Sequence, residues 1–166
     1  MASMAAVSGA GALAVPGAVH ALAVSSARAA VPGASSWGRA IEVPGLGALN
    51  KGGKADVFSV SCGAAGNCAA GGTYRDSRHH RQGFVAVERH GRWGTATEVP
   101  GLATLNKGRQ ADVRSVSCAS ASSCAAGGSY LDGDGDDQGF VAAERNGHWG
   151  TAIEMPDESR FGDLEP

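Results

Sequence analysis

The chain contains an internal repeat of 56 residues, and this repeat restricts its fold more than any other feature. Trp37, Trp93 and Trp149 lie 56 residues apart. Residues 37–92 align with residues 93–148 without a gap, and 35 of the 56 positions are identical. Such duplication is typical of repeat architectures, in which one structural unit packs against its neighbours. We therefore expect two copies of a single unit.

Each copy predicts short strands and no stretch of helical periodicity. The first three strands are ADVFSVSC, CAAGGTY and GFVAVER, with near-identical segments in the second copy. The fourth begins at the tryptophan, after a His-Gly or Asn-Gly pair that favours a tight hairpin turn, and it ends before a proline. We predict an all-β fold of two tandem four-stranded antiparallel meanders, similar to β-propeller blades. A final strand at 149–156 and an orphan fourth strand at 37–44 complete the expected pattern.

The two ends of the chain differ from the repeats. Residues 1–30 are mainly small and apolar, carry no charge before Arg28 and end in small residues, the pattern of a secretory signal peptide. A disordered Ala/Gly-rich leader is the alternative. Residues 31–36 are expected to be a linker, 37–156 the repeat domain and 157–166 an acidic tail. A secreted, extracellular protein is the expectation.

The cysteines form two Cys-x5-Cys pairs, Cys62 with Cys68 and Cys118 with Cys124. Their even number behind an export signal favours disulfide bonds in an oxidising compartment. A zinc ion bound by all four thiolates is the alternative, although structural zinc pairs usually have two to four residues between ligands. We expect each pair to close its own hairpin.

The repeated pattern SVSC…CAAGG-x-Y…QGFVA-x-ER…WG resembles the tandem repeats of secreted, largely uncharacterised actinobacterial proteins with propeller-like, cysteine-containing blades. The resemblance covers residues 37–156. It implies a propeller-like fold and export from the cell more than it implies an activity. Closed propellers usually have four to eight blades, whereas this chain holds two full copies.

Charge and composition exclude some partners. The net charge is −2, with 14 Lys and Arg against 16 Asp and Glu, so the whole molecule has no electrostatic bias toward nucleic acid or an anionic membrane. Glycine and proline interrupt the apolar N-terminal run, which argues against a transmembrane anchor. We expect neither nucleic acid nor a membrane as a partner.

One segment departs from the repeat. Between the second and third strands the two copies carry opposite charges on a nearly invariant scaffold, and loops on rigid scaffolds commonly carry recognition. We predict ligand-binding loops at Arg75, Arg78, His79, His80 and Arg81 in the first copy and at Asp132, Asp134, Asp136 and Asp137 in the second. In a meander these loops share one rim with the link between the copies.

Metal binding and catalysis have weaker signals. Asp132, Asp134 and Asp136 alternate with glycine, which suits calcium, although a solvated acidic turn explains the pattern as well. His79 and His80 lack a third metal ligand nearby in the sequence. No nucleophile elbow, zinc-protease motif or phosphate loop is present. Apart from calcium, no cofactor is expected.

Repeated tryptophans and glutamates fit structural roles. The tryptophans recur at one fixed position, which favours packing between sheets over stacking on sugar rings. The recurring glutamates could serve a glycosidase. Their presence in every copy instead favours pairing with the repeated arginines across the sheet.

The sequence as a whole predicts a secreted, non-catalytic binding module that recognises a glycan, a cell-wall polymer or a protein through its variable rim. The alternatives are an extracellular polysaccharide hydrolase and an inactive fragment of a longer repeat protein. Two blades leave sheet surfaces uncovered, so we also expect a homo-oligomer.

Overall fold

The computed structural model describes residues 38–156. The predicted signal peptide, linker and acidic tail, together with Trp37, lie outside the described residues. Two one-turn helices, α1 (Leu46–Leu49) and α2 (Leu102–Leu105), precede the two sheets, and neither is long and apolar enough to span a membrane. The strands are β1 (Ala55–Ala64), β2 (Asn67–Arg75), β3 (Arg81–Arg89), β4 (Arg92–Trp93), β5 (Thr97–Glu98), β6 (Ala111–Ser120), β7 (Ser123–Leu131), β8 (Asp137–Arg145), β9 (His148–Trp149) and β10 (Ile153–Glu154).

The described chain forms two antiparallel sheets with the same topology. In the first sheet β1, β2 and β3 pair in sequence order, and β4 and β5 both pair with β3. In the second sheet β6, β7 and β8 pair in the same way, with β9 and β10 on β8. The predicted all-β fold of tandem meanders is confirmed. Each sheet is one blade, β1–β5 the first and β6–β10 the second.

The fourth strand is not continuous, as the sequence had predicted it to be. It is split into two pieces of two residues each, β4 and β5 in the first blade. The split arises because the Ala96 N–H leaves the sheet and donates to the Pro44 carbonyl at 2.7 Å, while the Ala96 side chain is buried. The expected orphan strand is not formed over residues 38–43, and each link contains a helical turn that the sequence did not predict.

Both cysteine pairs close their own hairpins. Cys62 faces Cys68 in the β1–β2 register, and Cys118 faces Cys124 in β6–β7. The structure contains both disulfides and leaves no free cysteine in the described residues. The local pairing is confirmed, and the zinc alternative is excluded because the thiolates it needs are oxidised.

The main core lies between the blades. Strand β6 packs across β1, β2 and β3, and places Val113 and Val116 against Gly71 of the first blade. Phe140 and Tyr130 of the second blade and Leu102 of α2 enlarge this cluster. The repeated small residues therefore have a packing role, because a flat glycine and alanine surface allows the next sheet to approach closely.

Turns on opposite rims have different partners. On one rim the cysteine turn meets the tight turn after β3, where the Gly91 N–H donates to the Gly66 carbonyl at 2.8 Å. On the other rim the interblade link meets the loop after β7, where the Gly108 N–H donates to the Leu131 carbonyl at 2.9 Å. The variable loops and the links thus share the second rim.

Candidate functional site

The two variable loops have the same backbone frame although their charges are opposite. The basic loop comprises residues 75–81, and the acidic loop comprises residues 131–137. In the basic loop Asp76 Oδ1 accepts the N–H groups of Arg78 and His80 at 2.8 and 2.9 Å. In the acidic loop Asp132 Oδ1 accepts the Asp136 N–H and two others, all between 2.9 and 3.0 Å. One aspartate therefore fixes each loop and leaves the other positions free to vary.

These two anchoring carboxylates are stabilised in the ionised form. The hydrogen bond from the Asp136 N–H, with further backbone donors, lowers the pKa of Asp132 below its usual value. For Asp76, partial burial acts to raise the pKa, but hydrogen bonds from the His80 and Arg78 N–H groups outweigh it and the pKa is lowered. Asp132 was predicted as a ligand, and the structure shows that it anchors its loop.

A basic groove lies between the basic loop and the link that enters the second blade. Its volume is about 410 Å³. The residues that line it come from the loop and the link: Arg75, His79, His80, Arg81, Gly108, Arg109 and Gln110. The Arg81 N–H donates to the Arg109 carbonyl at 3.0 Å and Arg81 bridges to Gln110, so loop and link are held together. The link residue Arg109 was not predicted as part of the site.

Most of the groove's charge has no acidic partner. Arg81 Nε lies 2.9 Å from Asp112 Oδ1, and His80 Nδ1 lies 3.4 Å from Asp76 Oδ2. Among residues 38–156, no carboxylate lies within ion-pair distance of Arg75 or Arg109. The groove therefore presents positive charge to solvent within a molecule of net charge −2.

Two groove residues occupy a backbone conformation that favours glycine. His79 has φ +63° and Arg109 has φ +67°. The equivalent positions of the repeat are Gly135 and Gly53, both also at positive φ. Left-handed backbone costs a side-chain-bearing residue about 1–2 kcal/mol. The fold thus accepts glycine at these positions, yet the chain places two basic side chains there. Such strain is characteristic of functional sites.

The three aspartates of the acidic loop are not grouped as metal ligands in this structure. Asp132, Asp134 and Asp136 were predicted as calcium ligands, and no three His, Cys, Asp or Glu side chains within residues 38–156 are grouped closely enough to hold a metal ion. Asp132 Oδ1 already accepts three backbone N–H groups, and its Oδ2 accepts the Gln138 amide at 3.2 Å. Asp132 therefore turns inward to its own loop, and calcium binding by these three residues stays a prediction.

The tryptophans line a separate cleft at the outer end of the blades. Trp93 and Trp149 contribute to a depression of about 580 Å³ together with Arg89 and His148. Both rings are half-buried, Trp93 against the hydrophobic cluster of the first blade and Trp149 against the cluster between the blades. This position fits the predicted packing role.

The repeated glutamates take part in structural contacts. Glu144 is fully buried, and its Oε1 lies 2.6 Å from Arg89 NH2 of the other blade. The Tyr74 hydroxyl donates to Glu98 Oε2 at 2.9 Å. Burial, followed by the charge of Glu98, raises the pKa of Tyr74 well above its usual range. Each of these carboxylates has a fixed partner, which is not the arrangement of a glycosidase acid and nucleophile pair.

Comparison with known proteins gives no family for this chain. No protein-family model matches it, and no curated protein matches it. Function must therefore be inferred from the site.

Proposed function

We propose that this chain is a secreted, non-catalytic binding module that recognises an anionic glycan or cell-wall polymer through the basic groove. The observation that carries the proposal is the placement of His79 and Arg109 at left-handed positions where the other copy has glycine. Selection for stability alone would favour glycine at both positions. A ligand-binding role explains why basic side chains stand there.

The chemistry of the groove selects the ligand class. Arginine guanidinium groups match carboxylate and phosphate oxygens in shape and charge. Arg75 and Arg109 approach from the loop and from the link, so a linear polymer lying along the groove would contact both blades. Uronic acid carboxylates and polyol phosphates share this anionic chemistry. The exposed charges also predict that binding weakens as salt increases.

Several features favour binding over catalysis. Two of the recurring glutamates that a glycosidase could use, Glu98 and Glu144, already have partners within the fold. The fold instead combines a rigid scaffold, whose hairpins are closed by disulfides at one rim, with a segment at the other rim that varies in charge, the arrangement common in recognition modules. Two disulfides are typical of proteins from oxidising compartments, which supports an extracellular location.

The test is calorimetric titration with polygalacturonate for carboxylates, a polyglycerol phosphate for phosphates and neutral dextran as the uncharged control. We expect binding to at least one anionic polymer, with affinity falling at high salt, and none to dextran. Equal affinity for dextran would contradict the proposal. Release of reducing ends from any of these polymers that carries sugar would favour the hydrolase.

The chain supplies its own matched control. Residues 77–80 can be replaced by Gly-Asp-Gly-Asp, the segment that occupies the same backbone frame at residues 133–136. Asp76 and Arg81 remain, so the loop anchor and the ion pair to Asp112 are kept. We expect a melting temperature no lower than that of the wild type and loss of polyanion binding. Retained affinity would show that the basic loop is not the binding site.

A further inference from the structure

The contact between the two blades is built from a pattern that each blade carries in full. Val113 and Val116 of β6 lie on a surface of the first blade that has Gly71 and Gly83 at its centre. A Cβ atom at Gly71 would lie 2.4 Å from Val113 Cγ1 and 2.9 Å from Val116 Cγ2. The valines therefore occupy the space that the absent side chains leave.

The repeat places the same two surfaces at opposite ends of the described domain. The valine face is the side of β1 with Val57 and Val60, the counterparts of Val113 and Val116. The glycine face is the side of the second blade with Gly127 and Gly139, the counterparts of Gly71 and Gly83. Val141 also lies on the glycine face, at the position of Val85.

Among residues 38–156, both end faces are more exposed than their counterparts between the blades. Val57 is 46% exposed and Val60 56%, whereas Val113 is 0% and Val116 6% exposed. Val141 is 39% exposed, whereas Val85 is fully buried. Exposed apolar faces of this kind mark interaction surfaces.

The edge of β1 has matching polar groups. Between the blades, Ser59 Oγ accepts the Val116 N–H and Ser61 Oγ accepts the Cys118 N–H, each at 3.0 Å. The SVSC motif therefore pairs the serines of one blade with the backbone of the next. Ser115 and Ser117, the counterparts in the second blade, are exposed on β6. They are placed to accept the same two bonds from another copy of β1.

The charges at the contact on the rim differ between the two copies of the repeat. Within the chain Arg81 is bridged to Gln110. The counterparts of these residues are Asp137 and Lys54, both exposed. A blade docked in the same geometry would bring Asp137 of one copy beside Lys54 of another. It would also bring Asp137 near Asp56, the counterpart of the Asp112 that pairs with Arg81 within the chain, so Lys54 has to offset this repulsion.

A second position departs from the pattern. Gly63 lies so close to Ser120 that a Cβ atom there would meet the Ser120 carbonyl. Its counterpart in the second blade is Ala119, so the contact between copies must open slightly at the cysteine turns. The valine and serine positions lie along the rest of the strand.

We propose that the glycine face of one copy binds the valine face of a second copy, head to tail, in the geometry that joins the two blades within the chain. A head-to-tail contact closes into a ring when the rotation per subunit allows it. Two or three copies would supply the four or six blades of ordinary propellers. This assembly does not depend on the proposed ligand.

The test uses two variants that each disable one face. Gly127→Val fills the glycine face, and its Cβ would meet only ordinary contacts at 3.5 Å or more within the chain. Val60→Asp places a charge on the exposed valine face. We expect the wild type to sediment as an oligomer and each variant alone as a folded monomer that still unfolds cooperatively.

Mixing the two variants is the decisive step. Each retains the face that the other has lost, so an equimolar mixture should form one-to-one dimers that cannot extend. A wild type that stays monomeric at all concentrations would overturn the proposal, as would variants that assemble alone as well as the wild type. A mixture that stays monomeric while the wild type assembles would also overturn the head-to-tail geometry.

Carbodiimide coupling supplies an independent readout. In a wild-type sample mixed from light and isotope-labelled chains, we expect a mixed-label crosslink between Lys54 and Asp137. The variant Lys54→Gln removes this product and serves as the control. An oligomer whose intermolecular crosslinks exclude both residues would contradict the geometry.

Discussion

The contact between the blades predicts unequal effects of one substitution at two equivalent glycines. In Gly71→Ala the new methyl group would lie 2.4 Å from Val113 Cγ1, and Val113 is fully buried between two sheets. Overpacking of this kind costs about 1–3 kcal/mol. In Gly127→Ala the nearest atom is the Phe140 carbonyl oxygen at 3.5 Å, an ordinary contact. Alanine in a strand gains about 0.5–1 kcal/mol over glycine.

The gain applies to both variants and cancels, so they should differ in the free energy of unfolding by about 1–3 kcal/mol, with Gly71→Ala the less stable. Urea denaturation followed by tryptophan fluorescence measures this difference, provided that the m-values agree. The concentration is kept low enough for every sample to be monomeric, because Gly127 also lies on the proposed interface. Equal unfolding midpoints would refute the packing of Val113 against Gly71.

Three further predictions concern the hairpins and the loops. Replacing both cysteines of the first hairpin by serine should lower the unfolding free energy by about 2 kcal/mol, as the loss of a small closed loop predicts; an unchanged value in denaturant titration would contradict this. His79→Gly and Arg109→Gly should each stabilise the fold by about 0.5–1 kcal/mol, since relief of strain exceeds the added chain entropy, and each should weaken polyanion binding. Thermal unfolding and calorimetry measure the two effects, and a loss of stability would show that neither residue is strained. Asp76 and Asp132 have lowered pKa values, so their stabilising effect is present above about pH 4 and disappears as the pH falls further. The double Asp→Asn variant should therefore show a flatter acid unfolding profile, and an unchanged profile would remove the anchoring role.

The strands and turns could be predicted because their signals are local. Alternating apolar positions, the Asn146-Gly147 turn and the spacing of Cys62 and Cys68 all act over a few residues. The split of the fourth strand could not be predicted, because it depends on a bond from Ala96 to Pro44, more than fifty residues away.

The site was predicted in part. The difference between the copies indicated the basic loop, and Arg81 does line the groove. Asp76 was missed because it is identical in both copies and its role is a backbone contact. Arg109 was missed because the link was treated as a connector. Its replacement of Gly53 in an otherwise matching stretch was the available signal.

The role of SVSC also lay beyond sequence reasoning. Its serines bind backbone groups of another blade, and Ser61 meets Cys118 across 57 residues. An internal repeat shows which positions are equivalent in the two copies. It does not show which of these positions contact one another between the copies.

The most direct test of the binding groove is a nuclear magnetic resonance titration of the ¹⁵N-labelled chain with a short oligogalacturonate. We expect the largest amide shift changes at residues 75–81 and 108–110, on both sides of the groove. Residues 131–137, which have the same backbone frame but acidic side chains, should change little. Shift changes centred on the cleft of Trp93 and Trp149, or equal changes in the two loops, would contradict recognition by the basic groove.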